Sequence, residues 1–184
     1  MAKKSILLIY HGNFDEGFLE EIAKEVAHEF HCAVNIETSH IDLNTFYDAE
    51  RRQYDANSLV KMIDSMFPFQ YLKKIGLFRV DLFIPILTYI FGQAILKGNT
   101  GVASLYRLRN EQYGMEKDEA LLLERFKKVI IHELGHTFGL IHCHVPDCVM
   151  RSTTYVEEID QKKQHFCKKC REELDQKIHH LIDQ

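Results

Sequence analysis

Residues 132–142 read His-Glu-Leu-Gly-His-Thr-Phe-Gly-Leu-Ile-His, and this spacing constrains the chain more than any other stretch. His132 and His136 are four residues apart, so on a helix both side chains leave one face and their nitrogens can meet one metal ion. Glu133 lies one step round from His132, beside such a metal but not aimed at it, which is where a general base belongs. His142 cannot join them if the helix continues, because six further residues carry it about 240° around the axis. The chain must leave the helix first, and Gly139 permits this by accepting the left-handed conformation that ends helices. A turn there returns His142 as a third nitrogen ligand, leaving a fourth position open for water, the arrangement of a catalytic zinc. The competing reading is an amphipathic helix with incidental histidines, which requires neither the glycine nor the third histidine.

Cys143 follows directly, then Cys148, Cys167 and Cys170. One pair is separated by four residues and the other by two, a spacing that suits a tetrahedral all-cysteine structural zinc. Two disulfides are the alternative, but nothing marks the chain as exported. Four thiolates on one zinc leave a net charge near minus two. Lys162, Lys163, Lys168, Lys169 and Arg171 surround the second pair and would offset it. A nucleic-acid-binding ribbon is disfavoured, because the basic cluster is short and has no interleaved aromatic residue beyond Phe166. His144 and His165 read as bystanders, and Cys32 as ordinary core packing. His142 and Cys143 would place two metals on adjacent residues, so each site braces the other.

The extended histidine motif with its glycine, followed by Met150 on a turn, resembles the metzincin clan of zinc peptidases. With Cys143, Cys148, Cys167 and Cys170 included, the pattern is similar to that of the archaemetzincins. The gap from Met150 to Cys167 is one residue shorter than the family's, which alters the loop but not the ligands. Asp81-Leu-Phe-Ile-Pro, Phe91-Gly-Gln-Ala and Ala103-Ser-Leu-Tyr-Arg-Leu-Arg109 also resemble the family's upstream segments. The resemblance implies that Met150 forms an apolar floor beneath the histidines. It also makes Tyr155 a weak candidate for approaching the metal, since it lies further along than the family's tyrosine.

A chain of 184 residues, 46% of them hydrophobic, is long enough for one domain that buries roughly 70% of its unfolded surface. A net charge of −4 provides no push toward nucleic acid or anionic membranes. The apolar stretch Leu82–Leu96 is interrupted by Pro85, Gly92 and Gln93, is too short for a bilayer, and reads as buried strand. Lys3 and Lys4 precede an apolar run, Ile6–Tyr10, that is too short for a secretory signal. A cytoplasmic monomer is expected.

Periodicity predicts a strand over Ser5–Tyr10, a helix from Asp15 to Phe30, a strand over Ala33–Thr38, a helix over 48–66 and a strand over Ile75–Ile84. Two further strands, Thr88–Ala94 and Val102–Leu108, flank a turn at Gly98-Asn99-Thr100-Gly101, and either is a candidate edge for an extended peptide. The helix carrying His132 should begin near Glu116–Asp118 and end at Gly139. Asp160–Gln184 should hold the second cysteine pair and a closing helix. His11, His28, His31 and His40 read as surface or loop residues, and Asp81 with Arg109 as a solvated pair.

These readings combine into an α+β fold with a mixed twisted sheet, an antiparallel edge strand, an active-site helix and a small zinc-bound C-terminal lobe. Residues 1–142 would form the catalytic part, and 143–184 the part with Met150, the cysteines and the closing helix. The expected function is a zinc metallopeptidase with two Zn2+ per chain. His132, His136 and His142 are its catalytic ligands, and Glu133 is the base that assists attack of a zinc-bound water on an extended peptide. A zinc-stabilised binding module with little catalysis is the alternative. Neither a nucleic acid nor a membrane is an expected partner.

Overall fold

The computed structural model describes residues 5–66 and 71–182; Lys3, Lys4 and the last two residues of the segment Asp160–Gln184, predicted to hold the closing helix, lie outside them. The central strand β1 (Ser5–His11) is apolar on both faces, as a strand covered from both sides must be. Ile6 and Leu8 enter one core while Leu7 and Ile9 enter another. Strands β2 (Ala33–Ser39), β5 (Lys73–Phe78) and β9 (Thr100–Ser104) run parallel to it. The order is β2-β1-β5-β9-β8, closed by the short antiparallel strand β8 (Gly92–Ala94). A second, smaller sheet joins β3 (Tyr47–Asp48), β4 (Gln53–Asp55), β6 (Leu82–Ile84) and β7 (Leu87–Ile90).

Helices cover the main sheet on both faces. On one side lie α1 (Glu16–Phe30) and α3 (Glu119–Thr137), which contribute Leu19, Ile22, Phe30, Phe126 and Ile130 to the larger core. The other face takes α2 (Ala56–Ser65) through Leu59, Val60 and Ile63. The short α4 (Val156–Gln161) and the closing α5 (Lys168–Ile182) join the larger core through Ile159, Leu174 and Ile178. An aspartate starts each of α1, α2 and α3: the side chains of Asp15, Asp55 and Asp118 accept from Phe18, Asn57 and Leu121 amides at 3.0, 3.1 and 2.9 Å. Such caps satisfy amides that a helix start leaves open.

Several expectations are corrected. The helix predicted over 48–66 begins only at Ala56, because residues 47–55 pair into the second sheet. The predicted strand Ile75–Ile84 breaks after Phe78 and resumes in the other sheet at Leu82. Thr88–Ala94 likewise changes sheets at Phe91, so only its end, β8, edges the main sheet. Val102–Leu108 is no edge: β9 lies between β5 and β8, and the chain then turns into a 3₁₀ helix at Tyr106–Leu108. Leu82–Leu96 is not uniformly buried, since Ile86, Leu87 and Leu96 reach solvent. Asp81 is buried and pairs with Arg107, while Arg109 lies over the Tyr106 ring. Among the described residues no helix is long and apolar enough to cross a membrane.

Phe126 ties α3 to α1, with its ring stacked on Phe14 and Phe18 and no exposed surface. Phe126→Ala is expected to destabilise the fold by about 3–5 kcal/mol, read from the shift of a urea unfolding midpoint.

Candidate metal centre

The end of α3 is built by three glycine-dependent contacts. Gly139 has a φ of +90°, and the amides of Gly139 and Leu140 return to the carbonyls of His136 and Gly135 at 2.9 and 3.0 Å. This left-handed exit folds residues 140–142 back toward the helix. One turn earlier, Gly135 lies against Met150: a Cβ at that position would stand 2.5 Å from the methionine sulfur. Across the cleft, a Cβ on Gly92 of β8 would stand 2.6 Å from Cγ of Glu133. Two of these roles, those of Gly92 and Gly135, carried no readable signal in the sequence, because the partner of each is remote in the chain.

His132, His136 and His142 come together, each offering one nitrogen within 4.8 Å of the others. His132 Nδ1 donates to the carbonyl of Val149, and His136 Nδ1 to that of Leu140, both at 2.8 Å. A carbonyl only accepts, so each ring carries its proton on Nδ1 and presents a bare Nε2. The two Nε2 atoms stand 3.0 Å apart. Two lone pairs facing at that distance repel unless a cation lies between them, and ligands on a tetrahedral zinc are about 3.3 Å apart. Burial lowers the proton affinity of all three rings, most strongly for His132, where the nearby Lys162 charge adds to the effect. Neutral rings with fixed tautomers fit a metal of zinc's type.

Glu133 is buried beside them and takes no hydrogen bond from the described residues. Burial pushes its carboxyl up to about 8, partly opposed by Lys162. Lys162 is itself pushed down to about 8 by burial, with Glu133 opposing. The sequence placed Lys162 in the basic cluster around the cysteines. It is instead 3% exposed and lies in the wall of the cleft, with its ammonium donating to the carbonyls of Val149 and Arg151.

The four thiols also converge, with all sulfurs within 4.8 Å of one another and Cys143 3.8 Å from Cys167. Sulfurs at about 2.3 Å from a tetrahedral zinc would be about 3.8 Å apart, whereas a disulfide needs about 2.05 Å. The Cys167 amide points at Cys148 Sγ at 3.4 Å, as in a metal knuckle. Cys32 stands apart as a free thiol against the larger core. Of the cations expected to offset the thiolates, Lys163 pairs with Asp147 and Arg171 with the buried Glu29, which also takes His165. The two clusters are physically joined: the Cys143 amide donates to the Met150 carbonyl at 3.0 Å.

Both clusters belong to one edge of the molecule, and the histidines open into a cleft of about 730 Å³. Its walls are β7 and β8 on one side and residues 152–155 on the other, with α3 as the floor. Tyr155 lines it and is 62% exposed. Tyr89 Oη donates across to the Thr154 carbonyl at 3.1 Å.

The model of peptidase family M54 matches residues 31–176. An archaemetzincin of Sulfolobus acidocaldarius is 34% identical over 171 residues, 92% of this chain and 95% of that protein. Another, from Saccharolobus solfataricus, is 31% identical over 178 residues, 95% of each. Among solved structures, an archaemetzincin from Methanopyrus kandleri superposes with a TM-score of 0.85 at 30% identity, covering 97% of both chains. A zinc-dependent peptidase from Methanocorpusculum labreanum gives 0.81 at 27% identity, over 92% of this chain and 99% of that one. The mixed α+β fold, the paired clusters and this likeness lead to one conclusion: the chain belongs to peptidase family M54, the archaemetzincins, and is a zinc metallopeptidase.

Proposed function

We propose that this chain hydrolyses peptide bonds at a zinc held by His132, His136 and His142, with Glu133 as general base, while Cys143, Cys148, Cys167 and Cys170 hold a second, structural zinc. The observation that carries the reading is the pair of proton-free histidine nitrogens converging beside a buried carboxylate that no neighbour occupies. A zinc held there supplies Lewis acidity to a peptide carbonyl and to a water. Glu133, beside the histidines and with no other hydrogen bond among the described residues, would take the proton of the attacking water in its ionised form and return it to the leaving amine. The hydrogen bonds to Val149 and Leu140 hold the two rings still while charge develops. The reaction leaves both groups as they began.

The substrate would lie extended along β8, the last strand in the main sheet, and add main-chain hydrogen bonds to its outer edge. Ile84, Leu87, Leu96 and Ile141 line the cleft around that path, so apolar side chains next to the scissile bond are favoured.

A mixed peptide library incubated with zinc-loaded protein and with Glu133→Ala, read by mass spectrometry, tests the assignment. Cuts beside large apolar residues that disappear in the variant are expected. If neither protein cuts while both hold two zinc ions, the fold serves binding instead. Gly92→Ala should lower kcat about 100-fold at unchanged zinc content, because its methyl group displaces the Glu133 carboxylate. Cys170→Ser should release one zinc and also weaken the zinc at the histidines, since His142 adjoins Cys143. Full retention of that second affinity, measured by chelator competition, would show the two sites to be independent.

A further inference from the structure

Lys162, like Lys73, is a lysine only 3% exposed. Lysine is almost never fully buried without a partner, and among the described residues no carboxylate lies within ion-pair distance of this one. Burying an ammonium costs several kcal/mol, and an apolar side chain would fill the same volume without that cost. A lysine merely filling space is therefore a poor explanation.

Its contacts point elsewhere. Residues 148–151 form a turn closed by the Arg151 amide on the Cys148 carbonyl at 2.9 Å. The ammonium of Lys162 bridges two carbonyls of this turn, Val149 at 2.9 Å and Arg151 at 3.0 Å, which flank Met150. The carbonyl between them, that of Met150, is taken by the Cys143 amide. Val149 oxygen has a second partner: it is also the acceptor for His132 Nδ1 at 2.8 Å. One carbonyl thus uses one lone pair on the histidine and the other on the lysine. The ammonium and the His132 ring are therefore linked through a single carbonyl oxygen.

We propose that Lys162 is a positioning residue for the zinc site: through the carbonyl it shares with His132, its ammonium holds that ring and the Met150 turn in the orientation that zinc binding requires. The inference rests on reading the three histidines as zinc ligands. Lys162 acts through Val149, its ammonium being taken by two backbone carbonyls. The rival role is counter-charge to the cysteine cluster, since Cys148 lies close enough to act on Lys162 electrostatically. The two roles differ in which metal loses more.

The test is zinc competition with chelators on the folded chain, reading each site separately, for wild type, Lys162→Met and Lys162→Arg. Lys162→Met keeps length and removes all donors. It should weaken zinc at the histidines 10- to 100-fold, the range for losing a group that orients a ligand, and weaken the cysteine zinc less, because Cys148 lies in the same turn. Lys162→Arg restores donors and charge and should recover most of that loss. With cobalt in the histidine site, the visible spectrum of Lys162→Met should shift, and kcat should fall at unchanged KM. Unchanged affinity at the histidines, or a loss at the cysteines equal to or larger than that at the histidines, overturns the proposal while leaving the peptidase reading intact. Wild type that binds no zinc at the histidines overturns both. If Lys162→Met does not fold, Lys162→Gln is judged by the same criteria.

Discussion

The structure depends on two backbone carbonyls. Those of Val149 and Leu140 each accept an Nδ1 proton, and this alone decides that His132 and His136 present bare nitrogens toward each other. A histidine free to choose its tautomer would present a mixture of donors and acceptors at the same point. Both carbonyls lie outside α3, one in the turn around Met150 and the other just past Gly139. Hydrogen bonds within those two turns hold the oxygens in place.

Buried lysines recur as partners for carbonyls at the ends of elements. Lys73 reaches from β5 to the carbonyls of Thr137 and Gly98, clamping the last turn of α3 while lying over the Phe138 ring. Lys74 does the same for the end of α2 at Asp64 and Met66, and the half-buried Lys128 holds the Ile159 carbonyl of α4. A helix leaves its last carbonyls unpaired and carries a partial negative charge there, so a cation that can enter the core satisfies both. Lys162 applies the same chemistry to a turn rather than a helix. Lys73 and Lys162 thus grip the histidine helix and the turn beneath it from opposite sides.

Helices and central strands were legible wherever apolar spacing was long and regular. Phe18, Leu19, Ile22, Val26 and Phe30 announce α1, and the unbroken run of β1 announces a strand buried on both faces. Residues 47–55 and 79–91 misled because their short strands form a second sheet that the chain enters and leaves between strands of the first. A three-residue strand is too short for its period to show, and a change of sheet at Phe91 resembles continuation. The Asp81–Arg107 pair was missed for a related reason: a 3₁₀ turn at Tyr106–Leu108 places Arg107, not Arg109, beside the aspartate.

By itself the sequence determined which histidines and cysteines converge. Spacing on one helix face brings His132 and His136 together, Gly139 permits the reversal that returns His142, and cysteine spacing forms the knuckles, all local consequences of backbone geometry. Only tertiary structure decided what surrounds them: that Gly92 leaves room for the Glu133 carboxylate, that Gly135 admits the Met150 sulfur, and that Lys162 faces the cleft wall rather than solvent. Those facts join residues 15 to 41 positions apart, and no periodicity encodes them. They depend on how close two surfaces approach once the core has packed, which is a property of the whole fold.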